Sequence, residues 1–220
     1  MSSEQGCIDP SAIEIKRLFV TPVAQLVHPQ AEELNAELRR VILAQRERQP
    51  GVAHSNEGGW QSSHDFADWA GEGGRQLAEF ALAFANQLTA IYSPPHGLLE
   101  PTFTWRYNAW ANVNEAGHGN ALHGHAGAFW SGAYWVDDGR EEDGTDVGGE
   151  LEFIDPRGLI ASVYNPDLRM RIEGCVAAGC STTLAPRSGT FVMFPSWLMH
   201  AVRRYQGSRP RISVAFNFGL

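Results

Sequence analysis

"PTFTWRYNAWANV", residues 101–113, marks a change in the texture of the chain. From here on, short segments rich in aromatic and β-branched residues follow one another: "AFWSGAYWV" (128–136), "GGELEFID" (148–155), "MRIEGCV" (170–176), "GTFVMFP" (189–195) and "PRISVAFNFGL" (210–220). Gly, Pro, Asn and Asp separate them, and no helical period intervenes. Six strands in this space predict an antiparallel sandwich or barrel.

The first hundred residues read differently. "AIEIKRLFVTPVAQ" alternates apolar and polar residues from Ala12 to Val20 and stops at Pro22, which suits an edge strand. "HPQAEELNAELRRVILAQRERQP" (28–50) has acids early, arginines late and an apolar stripe of Leu34, Leu38, Val41 and Ile42, so it predicts a helix with Pro29 in its first turn. Residues 51–74 lack a sustained period and read as a structured loop, of which "SNEGGWQSSHDF" (55–66) is a candidate substrate cover. A second helix is expected over "RQLAEFALAFANQLTAIY" (75–92), apolar on most sides and ended by "SPPHG". "DDGREEDGTDVGG" (137–149) is acidic and Gly-rich, and is expected to be a solvated hairpin loop. The expectation is one domain over 1–220, with 1–100 packed on a barrel formed by 101–220.

Composition narrows the function classes. With 220 residues, 43% hydrophobic and 19% charged, the chain is globular. Its net charge of −8 argues against a general nucleic-acid binder, which needs clustered Lys and Arg. No run of 18 apolar residues exists, and the start lacks a basic segment followed by an apolar one, so a cytoplasmic protein is expected. Cys7, Cys175 and Cys180 have no metal-site spacing; they read as reduced thiols, with a Cys175–Cys180 disulfide as the alternative.

His123 and His125 in "NALHGHAGAFWSG" (120–132) stand two apart before a strand. On extended backbone, i and i+2 point the same way, so both imidazoles can face one point. His200, just past the strand "GTFVMFP", is the remote third candidate. Two close ligands and one from a later strand are how a barrel builds a facial metal site with open positions. His54 and His64 are not expected to be ligands.

Arg211 lies eleven residues after His200, and Ser213 two beyond that. Arg211, Ser213 and Ala215 share one face of the last strand. An Arg in an apolar strand is costly unless it meets an anion, and a guanidinium beside a hydroxyl suits a carboxylate. Asn112 and Asn120 are candidates for orienting the first histidines, with ordinary turn asparagines as the alternative. Trp110, Trp130, Trp135 and Trp197 are expected to fill the barrel. Arg203 and Arg204 are either contacts for an anionic substrate or exposed strand-end residues.

In "NALHGHAGAFWSGAYWV", "GGELEFIDPR", "GTFVMFPSWLMHAV" and "RPRISVAFNF" the chain resembles the Fe(II)- and 2-oxoglutarate-dependent oxygenases. More narrowly, it is similar to a bacterial and phage group of these enzymes with H-x-H…H…R-x-S. The matching segments span about residues 102–218 in the family order, and the spacing of His200, Arg211 and Ser213 is their most specific part. The resemblance implies a double-stranded β-helix (jelly-roll, cupin-like) supported by N-terminal helices. It implies Fe(II) on His123, His125 and His200, and 2-oxoglutarate with its far carboxylate on Arg211 and Ser213. It further implies O2 as oxidant, hydroxylation as the default outcome, and succinate and CO2 as by-products.

One departure stands out: the superfamily usually has a carboxylate at the second position of the first pair. An alternative alignment makes His125 the first ligand and Gly127 the empty carboxylate position. A third neutral imidazole leaves the metal one charge more positive and weakens discrimination against zinc. Two rival readings accompany the main one. The first is a three-histidine cupin-like dioxygenase that ignores 2-oxoglutarate. The second is a non-catalytic, metal-stabilised module that binds a small ligand, a carboxylate or a sugar. The substrate, a small molecule or a protein side chain, would be selected by residues 51–74 and 137–149.

Overall fold

The computed structural model describes residues 9–141, 143–158 and 180–220. A short 3-10 turn at Pro10–Ala12 leads to strand β1 (Ala24–Val27) and helix α1 (Ala31–Arg48). Strands β2 (Asn56–Glu57) and β3 (Trp60–Gln61) precede helices α2 (Phe66–Trp69) and α3 (Gly71–Gln87). A hairpin of β4 (Ile91–Ser93) and β5 (Gly97–Leu99) follows. Then come β6 (Arg106–Asn114), β7 (Gly119–His123), β8 (Trp130–Asp137) and β9 (Leu151–Ile154). The last four are β10 (Ser181–Leu184), β11 (Thr190–Pro195), β12 (His200–Val202) and β13 (Arg211–Gly219).

These strands form the expected jelly-roll. One sheet runs β1-β11-β8-β13-β6-β3 and the other β10-β9-β12-β7-β2, with every pairing antiparallel. From β6 to β13 the chain passes back and forth between the two sheets, so His123 and His200 meet although 77 positions separate their numbers.

The larger sheet is covered on both faces, which explains its near-continuous apolar strands. Ile212, Val214, Phe216 and Phe218 of β13 face outward into a core with Leu34, Leu38 and Ile42 of α1 and Leu77 and Ala81 of α3. Trp135, Val192 and Phe194 face the other way and meet Leu151, Phe153 and Leu198 between the sheets. Arg211, Ser213, Ala215 and Asn217 share that inward face by strict alternation. Leu34, Leu38 and Ile42 recur every four residues, as an amphipathic helix requires, and Val41 is partly buried beside them.

Several local expectations are corrected. Residues 12–20 do not form a strand; the larger sheet's edge beside β11 is taken by Ala24–Val27 instead. A strand exists only where a ladder partner is free, and Phe19 remains 97% exposed. Pro29 precedes α1 instead of lying in its first turn. Within the loop expected over 51–74, β2 joins one sheet and β3 the other, and α2 follows.

Helix α3 starts at Gly71, four residues ahead of the predicted start, because tertiary packing overrides glycine's low helix propensity there. A Cβ on Gly73 would sit 3.0 Å from the Glu37 carboxyl carbon, and the Gly73 N–H donates to Glu37 Oε1 at 3.1 Å. The helix ends at Gln87, and the β-branched stretch beyond it turns into β4. Residues 137–149 cross from one sheet to the other and are therefore not a hairpin loop. "MRIEGCV", Cys7 and Cys175 lie outside the described residues. Among the described residues, no helix is long and apolar enough to cross a membrane.

Candidate metal centre

His200 opens β12 and pairs directly with His123 at the end of β7, placing their ring centroids 4.4 Å apart. His125 lies in the turn after β7, where its backbone N–H donates to the Ser196 carbonyl at 3.0 Å. That contact ties the turn to the β11–β12 connection and brings the third ring within 5.1 Å of His200 and 4.9 Å of His123. One ring nitrogen from each of the three histidines lies within 4.8 Å of the other two. Gly127, the position left empty in the alternative alignment, sits in a turn at φ 90°.

Hydrogen bonds orient two of the rings. His123 Nδ1 is 2.7 Å from the Ala121 carbonyl oxygen, and His200 Nδ1 is 2.8 Å from that of Leu198. A carbonyl only accepts, so in both cases Nδ1–H donates and Nε2 keeps its lone pair for a metal. Burial pushes the His200 pKa down to about 3, helped by the neighbouring imidazoles, and that of His125 down to about 4. His123 is lowered too, chiefly by burial, against the opposing effect of its bond to Ala121. All three are neutral at pH 7, the form that binds metals. The donor set, the preset Nε2 atoms of His123 and His200 and the shared focus fit a divalent metal. Phe153 and Phe194 rings lie behind His200, at 6.2 and 4.8 Å.

Arg211 is 3% exposed and Ser213 6%, side by side on the inward face of β13. Among the described residues the guanidinium meets no carboxylate. It donates to Asn114 Oδ1 at 3.5 Å and lies 5.5 Å over the Trp135 ring. Burial lowers its pKa to about 10, so it stays charged at neutral pH. A buried cation without an anion fits a carboxylate ligand reaching into the barrel. The two glycines of "GGELEF" gain a reason here. Gly148 and Gly149 have φ values of 68° and 78°; a Cβ on the first would meet the Arg204 carbonyl at 2.3 Å, and on the second the Arg211 Cδ at 3.1 Å.

The remaining candidates separate clearly. Asn112 is buried opposite Ser213 in the ladder, and no hydrogen bond links it to a histidine. Asn120 donates to Ser55 Oγ at 3.4 Å, and that hydroxyl lies 3.4 Å from His123 Nε2, so Asn120 touches the cluster only at one remove. Trp110, Trp130 and Trp135 are buried as expected, whereas Trp197 is 55% exposed and packs no barrel. Arg203 pairs with Glu152 and Arg204 with Glu57 on the surface. His54 and His64 stack on each other outside the cluster.

Sequence reasoning missed Ser55, Asn114 and Asn217. Asn217 Nδ2 lies 3.3 Å from His125 Nδ1. Extending the alternation of Arg211, Ser213 and Ala215 by one step would have found it. An open cavity of about 580 Å³ begins at His125 and Asn217 and is lined by Arg106, Tyr107 and Asn108.

At one end of the jelly-roll the three converging histidines form a candidate metal centre. The profile of the family described as "Putative 2OG-Fe(II) oxygenase" matches residues 108–217, half of the chain. The chain belongs to this family: it is an oxidoreductase that uses Fe(II), 2-oxoglutarate and O2. No curated protein sequence matched. Among solved structures, a prolyl-4-hydroxylase of Pseudomonas putida is similar with TM-score 0.58 at 16% identity, covering 90% of this chain and 91% of its own. A Trichoplax adhaerens prolyl hydroxylase, solved with a hypoxia-inducible-factor peptide, gives TM-score 0.61 at 12% identity over 90% and 83%. HygX of Streptomyces hygroscopicus, solved with nickel and 2-oxoglutarate, gives 0.58 at 13% over the same shares. At these identities the likeness establishes the fold alone.

Proposed function

We propose that the chain is a single-domain dioxygenase that hydroxylates a substrate carbon, with His123, His125 and His200 as the iron ligands and Arg211 and Ser213 as the 2-oxoglutarate anchor. The observation that carries this reading is the pairing of two features inside one barrel. Three neutral imidazoles converge at its mouth, and a buried guanidinium without a carboxylate partner among the described residues faces inward on β13. A three-histidine enzyme that ignores oxoacids has no use for that guanidinium, and a metal-stabilised binding module for a small carboxylate is told apart by binding without turnover. The single-domain reading rests on one core shared by α1, α3 and the larger sheet.

Bound on the three histidines, iron with 2-oxoglutarate supplies the oxidising power that puts one oxygen atom of O2 into a substrate C–H bond, 2-oxoglutarate leaving as succinate and CO2. The chain's own contribution is binding and exclusion. Arg211 pairs with the far carboxylate of 2-oxoglutarate while the Ser213 hydroxyl donates to it. Phe153, Phe194 and Trp135 keep water away from the inner end. The cavity lined by Arg106, Tyr107 and Asn108 holds the substrate against the His125 side.

The test is anaerobic loading with Fe(II) followed by 2-oxoglutarate. A new visible metal-to-ligand charge-transfer band is expected, absent in His200→Ala and strongly weakened in Arg211→Ala. Fully iron-loaded protein that gives no band would overturn the assignment.

A further inference from the structure

The three histidines are not held in the same way. His123 and His200 each donate Nδ1–H to the carbonyl two residues upstream in their own chain, at 2.7 and 2.8 Å. Backbone thus sets the Nδ1 side of those two rings. The Nδ1 of His125 has a side-chain neighbour instead, the amide of Asn217 at 3.3 Å. Asn217 is set in turn by Ser131, its ladder partner on β8, whose hydroxyl donates to Asn217 Oδ1 at 2.7 Å. Ser131 is 1% exposed, so this relay has a buried base.

The amide gives His125 two states. With Nδ2 toward the ring, Nδ1 accepts and a neutral imidazole carries its proton on Nε2, which then cannot bind metal. A half-turn of the amide presents Oδ1, which accepts from Nδ1–H and frees Nε2. Ser131 follows either state, because a hydroxyl both donates and accepts. Resting on the assignment of the three histidines as ligands, we propose that Asn217, backed by Ser131, is the positioning residue that sets the ring and tautomer of His125 and so governs how tightly the third ligand engages. The amide stands in the metal-loaded protein with Oδ1 toward Nδ1. His125 is thus the ligand whose Nδ1 answers to a side chain, at the position where the superfamily usually carries a carboxylate.

The test is equilibrium binding of Co(II) to the whole chain under anaerobic conditions, followed by its visible ligand-field spectrum, for wild type, Asn217→Leu, Asn217→Asp, Ser131→Ala and His200→Ala. A carboxylate can only accept, so Asn217→Asp enforces the ligating tautomer, whereas leucine removes the partner. Asn217→Leu is expected to weaken Co(II) binding by about 10–100-fold and to alter the spectrum. Asn217→Asp is expected to bind at least as tightly as wild type, and Ser131→Ala to fall between wild type and Asn217→Leu. Should Asn217→Leu fail to fold, the Asp and Ser131 variants still decide.

Equal affinity across the Asn217 variants, or an Asp variant as weak as the Leu variant, overturns the proposal. So does tighter binding in Asn217→Leu, which would mean that His125 ligates through Nδ1 and that the amide competes with the metal. The His200→Ala control separates the two levels. If wild type binds Co(II) no better than His200→Ala, the metal-site reading and this proposal both fall. If His200→Ala alone loses binding, only the role of Asn217 falls.

Discussion

Replacing Arg211 by methionine should make the protein more stable without ligand and unable to hold 2-oxoglutarate. The guanidinium is 3% exposed, and burial lowers its pKa well below the ordinary arginine value, to about 10. A difference of that size corresponds to about 3 kcal/mol against the charged form in the folded chain. Methionine fills the same channel beside Gly149 without a charge. The substitution gives up the contact over Trp135 and the 3.5 Å bond to Asn114, together worth roughly 1–2 kcal/mol. A net gain of about 1–2 kcal/mol remains, which raises the melting temperature by about 2–8 °C for a chain of this length.

With 2-oxoglutarate the sign reverses. Removing one partner of a buried charge pair costs about 2–5 kcal/mol, between about 30-fold and several thousand-fold in affinity. Thermal melts with and without saturating 2-oxoglutarate on metal-loaded protein read both effects. At 100 times its dissociation constant the co-substrate adds about 2.7 kcal/mol to wild type, and the variant should show no such shift. A variant that melts below wild type without ligand, or that keeps the 2-oxoglutarate shift, refutes the reasoning.

Other outcomes follow from the same geometry. His200→Ala and His125→Ala should each weaken metal binding by more than the roughly 10–100-fold that loss of an outer partner costs, measured by competition with a chelator. The histidine pKa values set an acid limit on the metal-free protein. Folded values of about 4 and 3 for His125 and His200 lie below the ordinary 6.5, so the unfolded chain binds more protons. Stability is therefore fully present above pH 6.5 and declines below it, by at most about 1.4 kcal/mol per pH unit for each imidazole. Urea titrations between pH 7 and 4 measure that slope, and a flat profile would contradict the burial argument. Leu38→Ala, at a fully buried position of α1, should cost about 2–5 kcal/mol of stability while leaving 2-oxoglutarate affinity unchanged, since α1 covers the face of the sheet opposite the site.

How far the chain could be read in advance depended on whether the physics was local. The strands containing "RYNAWANV", "WSGAYWV", "TFVMFP" and "RISVAFNF" were legible because aromatic and β-branched residues crowd them, and the unbroken apolar run of "TFVMFP" is one that only a sheet covered on both sides accepts. The inward face of Arg211 and Ser213 was legible because alternation along extended backbone is a property of the residue numbers alone, whereas His125 lies past the end of β7 and reaches the cluster through its backbone bond to Ser196. The early start of α3 was not legible, because the partner of the Gly73 N–H is Glu37 of α1, a contact made only in the folded chain. Nor was the fate of residues 12–20, since an alternating segment becomes a strand only if a neighbour leaves an edge open.

Sequence by itself determined which residue types could build a metal site and an anion anchor, and the order in which the strands deliver them. Tertiary structure decided which ones meet. The antiparallel register of β7 and β12 puts His200 against His123. The ladder of β13 and β8 puts Asn217 on Ser131, within reach of His125. Side-chain partners drawn from strands about 90 residues apart depend on register and sheet order, and these are set by the packing of the whole barrel, not by any short stretch of the chain.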